Sequence, residues 1–358
     1  FRGKTVFIAG HTGFKGSWLT IWLQELGANV IGYSLEPPTN PSIFEITELA
    51  PTMTHIIGDV QDFPKLRQTI HEHKPDVIFH LAAQPLVLHS YEQPQETFSV
   101  NAMGTVNLLE ASRNQDRIQA IVVITTDKCY ENREWVWGYR ESDPLGGSDP
   151  YSASKAMAEI AAASYRKSFF TNSTAVATAR AGNVIGGGDF SEFRLIPDSM
   201  KALAGQKPIE VRHPDSVRPW MHVLDPLHGY LILANKLMQK GQAFAEGWNF
   251  GPQEHEVVTV RQMVEKAIEL WGKGDWHDVS APCVKPEMNT LKLNWDKAAN
   301  YLKWHPTYNW EQAVAETVDW YKAFENADAV NMRKVCIDQI NKFSRHYQSL
   351  KKPEKVHP

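Results

Sequence analysis

Seven short apolar runs punctuate the first 252 residues, and stretches whose apolar positions recur at helical spacing separate most of them. The runs are KTVFIAG at 4–10, Asn29–Leu35, THIIGDV at 54–60, Lys74–Ala83, Ala120–Thr126, Ser173–Ala181 and Gly247–Pro252. Continuous hydrophobicity marks strands covered on both faces, and a helix between successive strands closes a right-handed βαβ unit. The pattern predicts an α/β fold built on a doubly wound parallel sheet. Helices are expected over Ser17–Leu26, near Gln93–Asn114, from Tyr151 onward, and near Val260–Trp271 and Trp310–Phe324. From Ile185 the character changes to glycines, prolines and separated arginines, which predicts a smaller appended part of mixed α/β structure.

The first turn of this sheet has the composition of a nucleotide site. Gly10, Gly13 and Gly16 stand in G-x-x-G-x-x-G spacing between a strand and a helix. Glycines let the backbone turn tightly and approach a pyrophosphate resting on the helix N-terminus. After the second strand no Asp reads a ribose; Glu36 lies at about the right distance but runs into Pro37-Pro38 and is equally a solvated loop charge. From Ser17 through Pro64 there is no Lys or Arg, which favours NAD over NADP, with Lys15 the one counter-signal. Asp59, after the third strand, either accepts from an adenine amino group or caps the helix beginning near Asp62. Ala82 and Ala83 have no polar side chain and suit a backbone passing under a nicotinamide ribose, whereas His80 reads as a core histidine.

The fifth run ends in Thr126-Asp127-Lys128, at the sheet edge where ligands bind in open α/β folds. A Gly-, Pro-, Asp- and Ser-rich loop then leads to Tyr151 and Lys155, one helical turn apart on one face. A phenol with an ordinary pKa of about 10 is a poor base; the Lys155 ammonium and a cationic nicotinamide ring both favour its phenolate. Tyr151 can then take a hydroxyl proton while a hydride leaves the same carbon, with Thr126 donating to the oxygen and Lys155 also holding the ribose. The same helix carries Ala153, Ala156, Ala158, Ala161, Ala162 and Ala163, small side chains that permit a close subunit contact. Further on, Arg194 and Arg218 are candidates for phosphate contacts, and Arg212 reads as a surface arginine.

Composition narrows the function classes. Across 358 residues, 42% are hydrophobic, 22% are charged and the formal net charge is −4, an ordinary globular balance that does not suggest a nucleic-acid partner. Cys129, Cys283 and Cys336 are too scattered for a disulfide framework or a zinc site, so no metal is expected. No apolar run reaches membrane-spanning length and the chain opens directly into the first strand, so the expectation is a cytoplasmic protein.

Together, the Gly10–Gly16 turn, His80-Leu-Ala-Ala, Asn101-Ala-Met-Gly-Thr, Thr126 and Tyr151-Ser-Ala-Ser-Lys155 resemble the extended short-chain dehydrogenase/reductase superfamily. Thr126-Asp127 resembles its nucleotide-sugar 4,6-dehydratases, and the turn His11-Thr-Gly-Phe-Lys-Gly-Ser-Trp with Lys128 resembles the branch that takes CDP-glucose. The resemblance implies a Rossmann-type NAD-binding domain over 1–183 plus about 220–253, a substrate domain over 184–219 plus about 254–350, and a loose tail at 351–358. It implies NAD contacts from Gly10, Thr12, Gly13, Phe14, Gly16, Asp59, Val60, Leu81, Ala82, Ala83, Asn101, Tyr151 and Lys155. It implies a sugar-nucleotide grip by Asn183, Arg194 and Arg218, with His89 near the sugar, and a homodimer through the helices near 93–114 and 151–170.

The chemistry so implied is oxidation at C4, loss of water across C5 and C6, and hydride return to C6. Hydroxide leaves poorly, so the step needs an acid, and Asp127 beside Thr126 can protonate the 6-oxygen. An epimerase that oxidises the same carbon has no such need. Relatives acting on deoxythymidine sugars carry Glu where this chain has Lys128. Lys128 is the C5 base if its pKa is lowered; otherwise Tyr151 or a water takes that proton and Lys128 steadies the enolate or Asp127, or it merely pairs with Glu131.

Overall fold

The computed structural model describes residues 1–253, 258–280, 291–326 and 330–351. The described residues hold eleven strands: β1 (Thr5–Ala9), β2 (Asn29–Ser34), β3 (Thr54–Ile57), β4 (Val77–His80), β5 (Ala120–Ile124), β6 (Ala175–Ala181), β7 (Val184–Ile185), β8 (Ile209–Val211), β9 (Met221–His222), β10 (Gly247–Phe250) and β11 (Trp276–Asp278). Seven form one parallel sheet in the order β10-β6-β5-β4-β1-β2-β3. These seven are the apolar runs of the sequence, all but β6 ending one to three residues earlier than the run; β3 stops at Ile57, two residues before Asp59. The order reverses beside β1, and at such a switch point the crevice outside the carboxyl ends receives a ligand.

Alternation within β1 shows how the sheet is covered. Val6 and Ile8 face one core with Trp18 and Leu227, while Phe7 and Ala9 face the other with Leu66, Leu108 and Ala162. Every residue of β4, β5 and β6 is buried, so these strands read as apolar runs, broken by His80 in β4 and by Thr178 and Arg180 in β6. The helix expected near 93–114 is not continuous. It begins at Pro94–Phe98, passes through a π turn at Ser99–Met103 and resumes at Gly104–Ser112. The wider turn buries Asn101, whose amide bonds the Gln84 backbone in both directions and Ser154 Oγ at 2.9 Å.

Helices not expected from the sequence cover Leu195–Ala204, Leu224–Lys240 and Met332–Leu350. The second of these packs under β5 and β6. Two parallel strand pairs, β7 with β9 and β8 with β11, supply the mixed α/β structure beyond β6. Helix Trp310–Phe324 closes over this part: a Cβ on Gly187 would meet the Trp320 ring at 1.9 Å, and the Tyr321 hydroxyl donates to the Asp189 carbonyl. Of the expected loose tail, 352–358 lies outside the described residues, as does Cys283.

Candidate active site

The glycine turn meets the requirements of a dinucleotide cradle. Gly10 has φ +93°, and a Cβ there would sit 2.6 Å from the Ala82 nitrogen and 2.8 Å from the Leu81 carbonyl carbon. A Cβ on Gly16 would sit 2.1 Å from the Gly10 oxygen, whereas one on Gly13 would meet nothing closer than 3.6 Å. Helix Phe14–Glu25 starts at Gly13 with no side-chain cap and no acid in its first turn, leaving its N-terminus able to take an anion. Thr12 ties the turn to the end of β2 through Ser34 Oγ at 2.8 Å and the Leu35 oxygen at 3.0 Å. Phe14 lies against Gly186. The residues present therefore fit a dinucleotide.

Along the same edge, Leu81, Ala82 and Ala83 are half-buried at the end of β4. Val60 packs on Gly104 and its carbonyl accepts from Asn107 at 3.0 Å. Asp59 accepts from the Gln61 backbone at 2.8 Å; the cap of the following helix is Asp62. Glu36 is exposed. Lys15 does not project toward an adenosine ribose: its electrostatic neighbours are Arg194, Lys155, Asp127 and Asp189, and burial with the first two of these pulls it down to about 8. The counter-signal for NADP thus belongs to the catalytic end of the site. His80 is a core histidine, bonded at 3.1 Å to Thr105 and held neutral by burial at about 3.

Strand β5 and helix Pro150–Ser168 bring the reactive side chains together. Thr126 caps a short turn at Asp127–Cys129, and its hydroxyl donates to Asp127 Oδ1 at 2.9 Å. Lys155 Nζ donates to the Ile124 oxygen at 3.2 Å, which seats the helix on the strand end. Burial pulls Lys155 down to about 8, while Glu159 and Cys129 pull it back up. Burial pushes Tyr151 up to about 12; the Thr126 hydroxyl bonded to it and the Arg194 guanidinium pull it down, and Asp127 and Asp149 push it further up. Asp127 is 3% exposed, and burial raises its carboxyl above the usual range against Lys128, the Thr126 bond and Lys15. Lys128 is half-buried and forms no ion pair with Glu131, which lies 3.5 Å from Arg133 instead.

The remaining candidates divide. Arg194 is held at 2.7 Å by Asp189 and acts electrostatically on Tyr151 and Lys15, so it belongs to the group. Asn183 follows β6 and accepts from the Met221 backbone at 3.0 Å. Arg218 lines a cavity of about 520 Å³ with Trp135, Trp137, Pro219, Leu293 and Asn294. Gly182 joins this cavity to the acid, because a Cβ there would lie 3.1 Å from Asp127 Oδ2 and 3.2 Å from Pro219. His89 sits apart on helix Val87–Glu92, paired with Glu96 at 3.3 Å. Arg212 is exposed over the Phe193 ring, as a surface arginine should be.

Sequence reasoning missed Asp189, Glu159 and Arg180. A buried Asp189 holds Arg194 from five residues away, and only the Gly186-Gly-Gly-Asp segment marks its place in the sequence. Glu159 stands one turn past Lys155, and a single acid on an alanine-rich helix was the available signal.

Comparison with known proteins agrees with this geometry. The family model described as GDP-mannose 4,6 dehydratase matches residues 7–317. The CDP-glucose 4,6-dehydratase of Salmonella typhimurium is 50% identical over 330 residues, covering 90% of this chain and 92% of that one. The dTDP-glucose 4,6-dehydratase of Xanthomonas campestris is 27% identical, covering 88% and 93%. Among solved structures, the dTDP-glucose 4,6-dehydratase of Bacillus anthracis in complex with NAD superposes with a TM-score of 0.76 at 26% identity, covering 90% of this chain and 98% of its own. The UDP-glucose 4-epimerase of Thermotoga maritima, at 23% identity and a TM-score of 0.78, shares the fold. With a Rossmann-type sheet, a dinucleotide cradle and these relatives, the chain belongs to the GDP-mannose 4,6 dehydratase family of NAD-dependent nucleotide-sugar dehydratases.

Proposed function

We propose that this enzyme converts CDP-D-glucose to CDP-4-keto-6-deoxy-D-glucose, a lyase reaction that expels one water, as a step of deoxysugar biosynthesis in the cytoplasm. The observation that carries the reading is Asp127, a buried carboxyl beside the alcohol-binding Thr126 and raised toward its acid form. The 50% identity to a CDP-glucose enzyme supports the choice of nucleotide.

Gly10, Thr12, Gly13, Phe14 and Gly16 would hold the pyrophosphate of NAD, Asp59 and Val60 its adenine end, and Leu81, Ala82, Ala83, Asn101, Tyr151 and Lys155 its nicotinamide ribose. Bound there, NAD would supply the acceptor for the C4 hydride and, once reduced, the hydride for C6. Tyr151 takes the proton of the 4-hydroxyl as base, Thr126 donates to that oxygen, and the Lys155 ammonium stabilises the phenolate. The 4-ketone acidifies the C5 proton. As a water takes that proton, Asp127 protonates the 6-oxygen, the C6–O bond breaks and water departs; a proton returns to C5 as the hydride reaches C6. Lys128 offsets part of the burial that raises Asp127 and lies where it can steady the enolate. Arg194 and Arg218 grip the diphosphate with Asn183, and the 520 Å³ cavity receives the nucleoside; His89, paired with Glu96 away from that cavity, is given no part in the grip.

The division of labour follows the sheet: 1–183 with about 220–253 binds NAD, and 184–219 with about 254–350 binds substrate. Exposed Met103, Met157 and Ile160, on the two helical segments expected to meet a second copy, support a homodimer. The test is one preparation offered CDP-, UDP-, GDP- and deoxythymidine-linked glucose and mannose. A 4-keto-6-deoxy product, detected by its absorbance in alkali, is expected from CDP-glucose; an epimerised hexose overturns the reading.

A further inference from the structure

Directly beneath the catalytic residues lies a buried ion pair that the reaction does not touch. Glu159 is 3% exposed and all its acceptor sites are engaged. Its Oε1 accepts from Arg180 Nε at 2.9 Å and from the Thr125 hydroxyl, and its Oε2 accepts from Arg180 Nη2 at 2.8 Å and from Thr178 at 2.7 Å. Arg180 in turn donates through Nη1 to the Tyr130 hydroxyl at 2.6 Å, which donates to Asn249 at 2.8 Å. The network therefore spans helix Pro150–Ser168, the ends of β5 and β6, and β10.

A buried, bidentate pair of this kind is weak evidence for stability, because desolvating two charges offsets most of their attraction. Its placement is the more informative fact. Glu159 grips Thr125, the neighbour of Thr126, and lies one turn beyond Lys155, which grips Ile124. The two side chains pin the helix to the strand at consecutive residues. Of the groups facing Lys155, Lys15 on the glycine turn is cationic, His80 on β4 is neutral and Cys129 is a buried thiol; Glu159 is the carboxylate among them.

We propose that Glu159, held by Arg180, is a positioning residue of this site: it fixes the register between the helix of Tyr151 and Lys155 and the strand end of Thr126, and supplies the negative charge that keeps Lys155 an ammonium. This inference rests on the dehydratase reading for its catalytic consequence, but the protonation of Lys155 is measurable without turnover. Without Glu159 the burial of Lys155 goes unopposed, because burial holds Cys129 as the neutral thiol, and the amine sheds its proton at lower pH. The alkaline limb of turnover, where the ammonium is lost, moves toward acid with it.

The experiment labels lysine at the ε-carbon and follows Lys155, assigned through Lys155→Arg, across a pH titration of the protein as purified. Because Glu159→Gln alone leaves Arg180 buried without a counter-charge, the decisive variant is the double substitution Glu159→Gln, Arg180→Gln. Lys155 is expected to titrate near pH 8 in the unmodified protein and at lower pH in the double variant, with the alkaline limb of kcat displaced by the same amount. Glu159→Asp keeps the charge, so its titration stays close to the parent while kcat falls because the shorter acid cannot span Thr125 and Arg180 together. Superimposable titrations of parent and double variant overturn the proposal, whatever happens to melting temperature. Failure of the unmodified protein to turn over CDP-glucose overturns the CDP-glucose reading and leaves the titration result standing by itself.

Discussion

Replacing Gly16 by Ala puts one methyl group where the glycine turn has no room. The added Cβ would lie 2.1 Å from the Gly10 oxygen and 2.8 Å from the His11 Cα, both backbone atoms. Ordinary contact begins near 3.4 Å, so the turn must open by more than an ångström, and no side chain can move aside instead. Overpacking of this kind costs about 1–3 kcal/mol. At about 2–4 °C per kcal/mol for a large domain, the melting temperature should fall by roughly 2–12 °C. The loss should be greater with saturating NAD, because the displaced oxygen and helix end are the cradle itself. Gly13→Ala is the control. Its Cβ meets nothing nearer than 3.6 Å and its φ of −78° suits any residue, so only the poorer cap, about 1 kcal/mol at most, is lost. Differential scanning calorimetry with and without NAD reads both. Equal melting temperatures and NAD stabilisation for Gly16→Ala and the parent, or equal damage from Gly13→Ala, would refute the steric reasoning.

Other consequences are open to direct measurement. Asp127→Asn should keep fold and NAD binding while slowing water loss by about 10²–10⁴-fold, leaving the absorbance of reduced cofactor in the stalled mixture; undiminished product formation rejects the acid assignment. Lys155→Met should abolish turnover yet raise the melting temperature below pH 8: the folded pKa lies below the unfolded one, so the buried ammonium costs up to about 3 kcal/mol there, a cost relieved as pH rises toward 10.5. His11, His80 and His222 are held at about 3, so stability present above pH 6.5 should drain away as pH falls, by at most about 4 kcal/mol per pH unit, with Asp225, raised to about 7, working in the opposite direction. A flat acid unfolding profile between pH 6.5 and 4 would contradict this. Ile160→Glu, on a face 57% exposed, should yield monomers by light scattering; an unchanged mass rejects the proposed dimer face.

The sheet was legible because burial on both faces leaves most of its strands, β1, β4 and β5 above all, as largely apolar runs, and the reactive cluster because glycine spacing and a Tyr-x-x-x-Lys pair are local signals. What escaped was of two kinds. Helix Leu224–Lys240 carries Pro226 in its first turn, where proline is tolerated, and Gly229 inside it, whose helix-weakening cost packing against β5 and β6 offsets. The π turn at Ser99–Met103 likewise answers to the buried Asn101 amide and its partners Gln84 and Ser154, none of them near in sequence. Arg180 and Glu159 stand 21 residues apart, on a strand and a helix, and nothing local announces that they meet. Two- and three-residue strands such as β7 and β8 are too short to establish any period.

The last third of the chain holds none of the residues proposed to react, yet it is not expendable cladding. Trp320 fills the volume above Gly187, and the Tyr321 hydroxyl holds the carbonyl of Asp189, the residue whose carboxylate aims Arg194 at the site. Anyone wishing to shorten this protein, or to transplant its nucleotide-binding half into another scaffold, inherits that dependency. An excised fragment would keep every residue that does chemistry and lose the wall that tells one of its arginines where to point.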